Sequence, residues 1–176
     1  MPYGNNRSIK AISAMPQSIL DGKRVLAIDD EPDVLAVLEE EIAYKCPNAV
    51  FEKATTYEDA KKLLESKSYD IVVLDIMGVR GFDLLEIAVK RNLKVAMLTA
   101  HALSPEALKR SYTMKARAFL PKNKLGEIVP FLEDVLKYDY QSGWKRLFKK
   151  LHRFFTEEFE SDWEKKTGLN WREWGK

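Results

Sequence analysis

Five short apolar runs, each followed by a stretch of helical period, restrict what this chain can fold into more than any other feature. The runs are Val25–Ile28, Val50–Ala54, Ile71–Leu74, Val95–Leu98 and Ala118–Leu120. After them come Val34/Leu35/Leu38/Ile42, Ala60/Leu63/Leu64, Leu84/Leu85/Ala88, Leu103/Ala107/Leu108 and Ile128/Phe131/Leu132/Val135. Spacings of three and four residues put each of these sets on one helix face. Three of the runs are rich in β-branched residues and apolar at successive positions, as strands are when helices cover both sides of a sheet. Five βα units in succession predict an α/β fold: a doubly wound, five-stranded parallel sheet with right-handed crossovers and helices on both faces.

Boundary signals agree with this pattern. Pro32 and Pro105 suit first helical turns, Ser104 suits an N-cap, and Thr55-Thr-Tyr-Glu58 fits a capping box. Cys46-Pro47 ends the first helix, because a residue before proline avoids the α region. Residues 1–22 show no periodicity and carry Arg7 and Lys10 with no acid before Asp21, which predicts a flexible leader. The folded domain is then expected over 23–140. Composition changes at Gln141-Ser-Gly143, and all 4 tryptophans lie beyond it, so 141–176 is expected to be a helical extension.

That extension carries Trp144, Leu147, Phe148, Leu151, Phe154, Phe155 and Phe159 on one helical face. Ser142 is the expected cap, Ser161-Asp-Trp-Glu164 resembles a second capping box, and Gly168 suits a helix end. Lys145, Arg146, Lys149, Lys150 and Arg153 precede Glu157, Glu158, Glu160, Asp162 and Glu164, an order that opposes the helix macrodipole. An apolar stripe of this size must be covered. The segregated charges make an antiparallel homodimer through residues 143–159 the first expectation, with packing on the parent domain and a membrane surface as the alternatives.

Several classes are excluded at this level. No apolar stretch approaches the about 20 residues of a membrane span, and the N-terminus lacks the apolar core of a signal peptide. Cys46 is the only cysteine, which rules out an intramolecular disulfide and fits a reducing, cytoplasmic setting. A net charge of +2 gives no ground for nucleic-acid binding, and the extension is too short for a DNA-reading module.

In doubly wound sheets ligands bind beyond the carboxyl ends of the strands. There the first strand ends in Asp29-Asp30, the third in Asp75, the fourth in Thr99, and the fifth just before Lys122. Converging carboxylates repel one another unless a cation lies among them, and an all-oxygen donor set favours Mg²⁺. Lysine and a hydroxyl suit phosphoryl oxygens. Asp29 and Asp30 are adjacent, so both face one site only if the strand has already ended.

The ordered set Val25-Leu-Ala-Ile-Asp-Asp-Glu-Pro32, Asp70-Ile-Val-Val-Leu-Asp75, Met97-Leu-Thr-Ala100 and Ala118-Phe-Leu-Pro-Lys122 resembles the receiver domain of two-component response regulators. The resemblance covers about residues 23–139. It implies a flavodoxin-like strand order 2-1-3-4-5 and a phosphoryl group accepted by Asp75 from a histidine kinase or histidine phosphotransfer protein. It further implies Mg²⁺ held by Asp30, by Asp29 through water, by Asp75 and by the carbonyl of Met77. Thr99 and Lys122 would contact phosphoryl oxygens, Phe119 matches an aromatic switch, and His101 flanks the site as a modulator. The implied role is a phosphorelay switch of protein–protein contacts with a downstream protein target, with no DNA-binding output and no stand-alone enzyme activity.

Two departures stand out. The segment Asp75-Ile-Met-Gly-Val-Arg-Gly81 is shorter than the family's loop and lacks its proline, although Gly78 and Gly81 permit a tight turn. Proline precedes Lys122 rather than following it, which leaves the isomer of the Lys122–Asn123 peptide open. Pro121 itself suits an edge strand. The shortened loop keeps a pseudo-receiver scaffold as the alternative. A Mg²⁺-dependent aspartyl-phosphate phosphatase has its nucleophile after the first strand and a second acid two residues on; Glu31 has that spacing from Asp29, but the acidic pair Asp29-Asp30 is adjacent, so the class fits less well.

Overall fold

The computed structural model describes residues 17–100 and 103–169. Five parallel strands form one sheet in the order β2-β1-β3-β4-β5, comprising β1 (Arg24–Ile28), β2 (Val50–Ala54), β3 (Ile71–Asp75), β4 (Val95–Thr99) and β5 (Ala118–Pro121). Helices α1 (Pro32–Lys45), α2 (Tyr57–Ser66), α3 (Gly81–Lys90), α4 (Pro105–Thr113) and α5 (Ile128–Lys137) follow the strands in turn, with a 3₁₀ turn over Lys122–Glu127 before α5. This is the expected flavodoxin-like fold. Every residue of β3 and β4 is buried, as central strands between two helical layers must be, whereas β2 at one edge is largely open. β5 is the other edge, where Pro121 costs no internal ladder bond.

Local chemistry sets the helix starts. Pro32 and Pro105 occupy first turns, and Ser104 accepts from the Ala107 N–H at 3.1 Å. The cap of α2 is displaced by one residue from the expected box: Thr56, not Thr55, accepts from the Asp59 N–H. Helix α1 stops at Cys46, whose N–H reaches the Ile42 carbonyl.

The leader joins the core earlier than its composition predicts. Leu20 is fully buried, Ser18 Oγ donates to Glu133 at 2.5 Å, and Asp21 accepts from the backbone and side-chain N–H groups of Asn48. A single apolar residue anchors this segment, too little to register as periodicity. Residues 1–16 lie outside the described residues.

Beyond α5 the chain continues into α6 (Tyr140–Glu158) and a short α7 (Trp163–Thr167). Asp139 rather than Ser142 caps α6, so Gln141-Ser-Gly143 is its first turn and not a linker. The second helix does restart after Ser161, but Asp162 makes no side-chain cap; Glu164 instead pairs with His152 of α6 at 2.5 Å. Gly168 closes α7 in the left-handed conformation.

The apolar stripe is buried within its own chain, which removes the ground for a homodimer through 143–159. Trp144, Leu147, Phe148, Leu151, Phe155 and Phe159 are all buried, and Phe154 is half-buried. Trp144 Nε1 donates to the Ala116 carbonyl at 2.9 Å, and its ring meets Tyr112 edge-on at 5.3 Å. Helix α6 packs on α5 and β5, and α7 packs on α4. The bases of α6 find their acids on the parent domain: Arg146 and Lys150 both reach Asp134 of α5, at 3.2 and 2.6 Å. Among the described residues no helix is long and apolar enough to cross a membrane.

Because the aromatic rings of α6 and α7 are continuous with the main core, extension and sheet are expected to unfold together. Trp144→Ala should lower stability by about 3–5 kcal/mol, seen as a shifted urea midpoint. Circular dichroism and tryptophan fluorescence should report one coincident transition.

Candidate functional site

Sheet register brings the sequence-flagged residues to one edge. Ile28 pairs with Leu74, Asp75 with Leu98, and Thr99 with Pro121, so the chain leaves β1, β3, β4 and β5 at nearly the same level. β1 ends at Ile28, which frees Asp29 and Asp30 from strand alternation and lets both face the site. Carboxylate oxygens of Asp29, Asp30 and Asp75 lie within 4.8 Å of one another.

Burial governs the electrostatics here. Asp29 is 1% exposed and Asp75 3%. Desolvation, aided by the neighbouring Asp29 charge, pushes the Asp75 carboxyl up to about 6 from its ordinary 3.8. Desolvation also raises Asp29, against the pull of Lys122 and the Glu31 N–H. The ammonium of Lys122 lies 2.8 Å from Asp29 Oδ2, 3.0 Å from Glu31 Oε1 and 3.3 Å from Asp75 Oδ1. Burial works against this cation too, but Asp29, Glu31 and Asp75 outweigh it and hold the lysine above its ordinary pKa. All peptides among the described residues are trans, so Lys122 reaches its carboxylates through a trans bond to Asn123.

The turn after Asp75 is shaped by its two glycines. Gly78 has φ +81°, and a Cβ there would fall 2.3 Å from Asp30 Oδ2. A Cβ on Gly81 would fall 2.1 Å from the Asp75 carbonyl oxygen. Gly81 N–H donates to the Ile76 carbonyl, Val79 is fully buried, and Arg80 adopts a left-handed conformation with its guanidinium over Tyr57. The short loop is thus closed and packed. Met77 exposes its side chain by 53%, which leaves its main chain as the part that could serve the site.

Thr99 is buried at the end of β4, and Phe119 is fully buried on β5 with its ring 6.1 Å from that of Phe155 on α6. His101 lies outside the described residues. Sequence reasoning weighed Glu31 only as a spacing and missed it as a partner of Lys122. Its place directly after the acidic pair was the available signal.

The donor set fits a hard divalent cation, with carboxylate oxygens alone and Gly78 leaving room for Asp30. With Lys122 at its rim, the arrangement can neutralise a phosphoryl group beside a carboxylate nucleophile.

A family model described as the response regulator receiver domain matches residues 25–132. A two-component response regulator of Arabidopsis thaliana, ARR18, is 38% identical over 84 residues, which are 46% of this chain and 13% of that protein. A second from the same plant, ARR12, is 34% identical over 109 residues, 57% of this chain and 17% of that protein. The chain therefore corresponds to a small part of these curated relatives. The response regulator TrrA of Thermotoga maritima, solved in complex with Mg²⁺-BeF, is 30% identical with a TM-score of 0.55 over 65% of this chain and 99% of that one. A LuxR-family response regulator from Aurantimonas shares the fold at 21% identity, TM-score 0.59, over 65% of this chain and 84% of that one.

Two outcomes follow from the geometry. Because the folded state binds the Asp75 proton more tightly than the unfolded chain does, stability falls as pH rises from about 4 through 6. Asp75→Asn should therefore stabilise the metal-free protein by about 1–3 kcal/mol at pH 7.5 and leave it little changed near pH 4, as thermal denaturation across pH will measure. Gly78→Ala should weaken Mg²⁺ binding at least tenfold by isothermal titration, since its Cβ displaces the Asp30 carboxylate and its φ is strained.

Proposed function

The chain belongs to the response regulator receiver family, and from that premise we propose that it accepts a phosphoryl group on Asp75 from a phosphohistidine of a histidine kinase or phosphotransfer protein. The observation that carries this reading is the ammonium of Lys122 standing 3.3 Å from the buried Asp75 carboxylate, beside a trio of acids. In the step proposed, an Asp75 oxygen forms a bond to phosphorus as the phosphorus–nitrogen bond of the donor breaks, and the imidazole leaves with the electron pair. The nucleophile is already an anion above its pKa of about 6, so no general base is needed. Asp30, Asp75 and the main-chain carbonyl of Met77 would hold Mg²⁺, with Asp29 acting through water. When bound, that ion supplies positive charge to carboxylates and phosphoryl oxygens alike. Lys122 meets an equatorial oxygen as a point charge and Thr99 supplies a hydroxyl donor. Water later attacks phosphorus, releasing phosphate and restoring the carboxylate. The chain would turn over only its own modification and would act on no other substrate.

Output on this reading is a change of protein–protein contacts. Thr99 leads toward α4, and Lys122 follows β5, the two elements on which α7 and α6 pack. Phe119, as the aromatic switch, would change its contact with Phe155 of α6 on changing rotamer, since their rings lie 6.1 Å apart. An active acceptor is favoured over a pseudo-receiver scaffold because Asp29, Asp30 and Asp75 are all present and lie with Lys122 at one edge. The phosphatase alternative is weakened because Asp29 already accepts the Glu31 N–H at 2.9 Å.

With Mg²⁺ and acetyl phosphate or a phosphohistidine donor, wild type should label and Asp75→Asn should not, read by intact mass and acid-gel mobility. Lys122→Ala should slow labelling more than tenfold at a temperature where it is still folded, and should also melt lower, because Asp29 and Asp75 lose their buried counter-charge. Equal labelling of the Asp75→Asn protein would refute the assignment.

A further inference from the structure

Three carboxylates share the Lys122 ammonium, and they are not equivalent. Asp29 and Asp75 belong to the trio that fits a divalent cation; Glu31 does not. Once a cation and a phosphoryl group engage the other two, Glu31 is the acceptor whose oxygens neither of them requires. The lysine needs such an anchor. It opens a 3₁₀ turn on a flexible four-carbon stem whose rotamers must be held in one place.

Glu31 is well placed for that work. It is the N-cap residue of α1, its N–H is tied to Asp29 Oδ1 at 2.9 Å, and Pro32 fixes the backbone that follows. Its side chain is 48% exposed whereas that of Lys122 is 9% exposed. The glutamate therefore holds the ammonium from the solvent side while Asp29 holds it from within. Asp75 lies 3.3 Å from the same nitrogen.

We infer that Glu31 is a positioning residue for Lys122, keeping the ammonium beside Asp75 so that an arriving phosphoryl oxygen meets a preset donor. This rests on the phosphoacceptor reading above. An opposite effect is built into the same geometry, because a carboxylate near the site also repels an anionic ligand. The sign of the response to its removal tells which one wins: lost positioning weakens the binding of a phosphoryl mimic, and relieved repulsion strengthens it.

The test is titration of the full chain with beryllofluoride at saturating Mg²⁺. Glu31→Gln should bind about two- to fivefold more weakly with an unchanged melting temperature, and Mg²⁺ alone should bind both proteins within about twofold. Glu31→Asp keeps the charge but shortens the reach, so it should lose affinity as well; a pure repulsion would leave it like wild type. In a Lys122→Met background Glu31→Gln should cause no further loss of affinity, since the positioning acts through the lysine. Unchanged or tighter binding by Glu31→Gln, or the same loss without Lys122, overturns the inference while the phosphoacceptor reading stands. A wild-type chain that binds no beryllofluoride overturns both.

Discussion

Two carboxylates do not leave water side by side without a cation between them, and in this molecule that cation is Lys122. Asp29, just after β1, and Asp75, the last residue of β3, are buried because those strands are sandwiched between helical layers and end at the same level. Their desolvation is a standing cost, visible in the raised pKa of both groups. An ammonium within 3.3 Å of each relieves it only in part. The surrounding chain accommodates this arrangement at close range. Gly78 clears space for Asp30, and Gly81 lets the backbone turn against the Asp75 carbonyl. A residual negative charge at the edge of a rigid sheet is a setting in which a divalent cation gains much from binding. The same frustration that lowers stability favours a cation at the site.

The C-terminal helices answer a different problem. β5 is an edge strand of four residues, and α6 packs on it while α7 packs on α4. The stripe from Trp144 to Phe159 is the cover for that side of the domain. The charge order that opposes the α6 macrodipole is resolved by tertiary partners. Asp134 takes Arg146 and Lys150, and Glu164 takes His152. A charge that is unfavourable by a few tenths of a kcal/mol within its own helix is tolerated where an acid from another element stands opposite. Phe119 and Phe155 meet in this layer, so one short strand joins the region of Lys122 to the extension.

Much of the fold was legible because hydrophobic period and turn chemistry are local properties. The five apolar runs became the five strands within a residue, Ser104 and the two prolines acted where expected, and Pro121 fell on an edge. The set Asp29, Asp30, Asp75, Thr99 and Lys122 was legible too, since parallel strands in register must deliver their carboxyl ends to one side. Legibility ended where the outcome depended on one contact distant in sequence. Leu20 is a lone buried residue in an otherwise featureless segment, and Thr56 rather than Thr55 caps α2 because the helix begins one residue later. Asp139 displaced Ser142 as a cap for the same kind of reason.

Alternation of short continuous apolar runs with segments of period 3.6 determined the layers, the strand runs and the edge that carries the acids, because each is written in side chains a few residues apart. Tertiary structure decided the rest: that the aromatic stripe folds back on its own domain rather than on a second copy, and that Glu31 closes on Lys122. Both outcomes bring together groups from separate elements, 91 residues apart in the case of that ion pair. An amphipathic pattern states that a surface must be covered, and a carboxylate that it needs a counter-charge. Which surface and which charge are settled by where the chain places them in space.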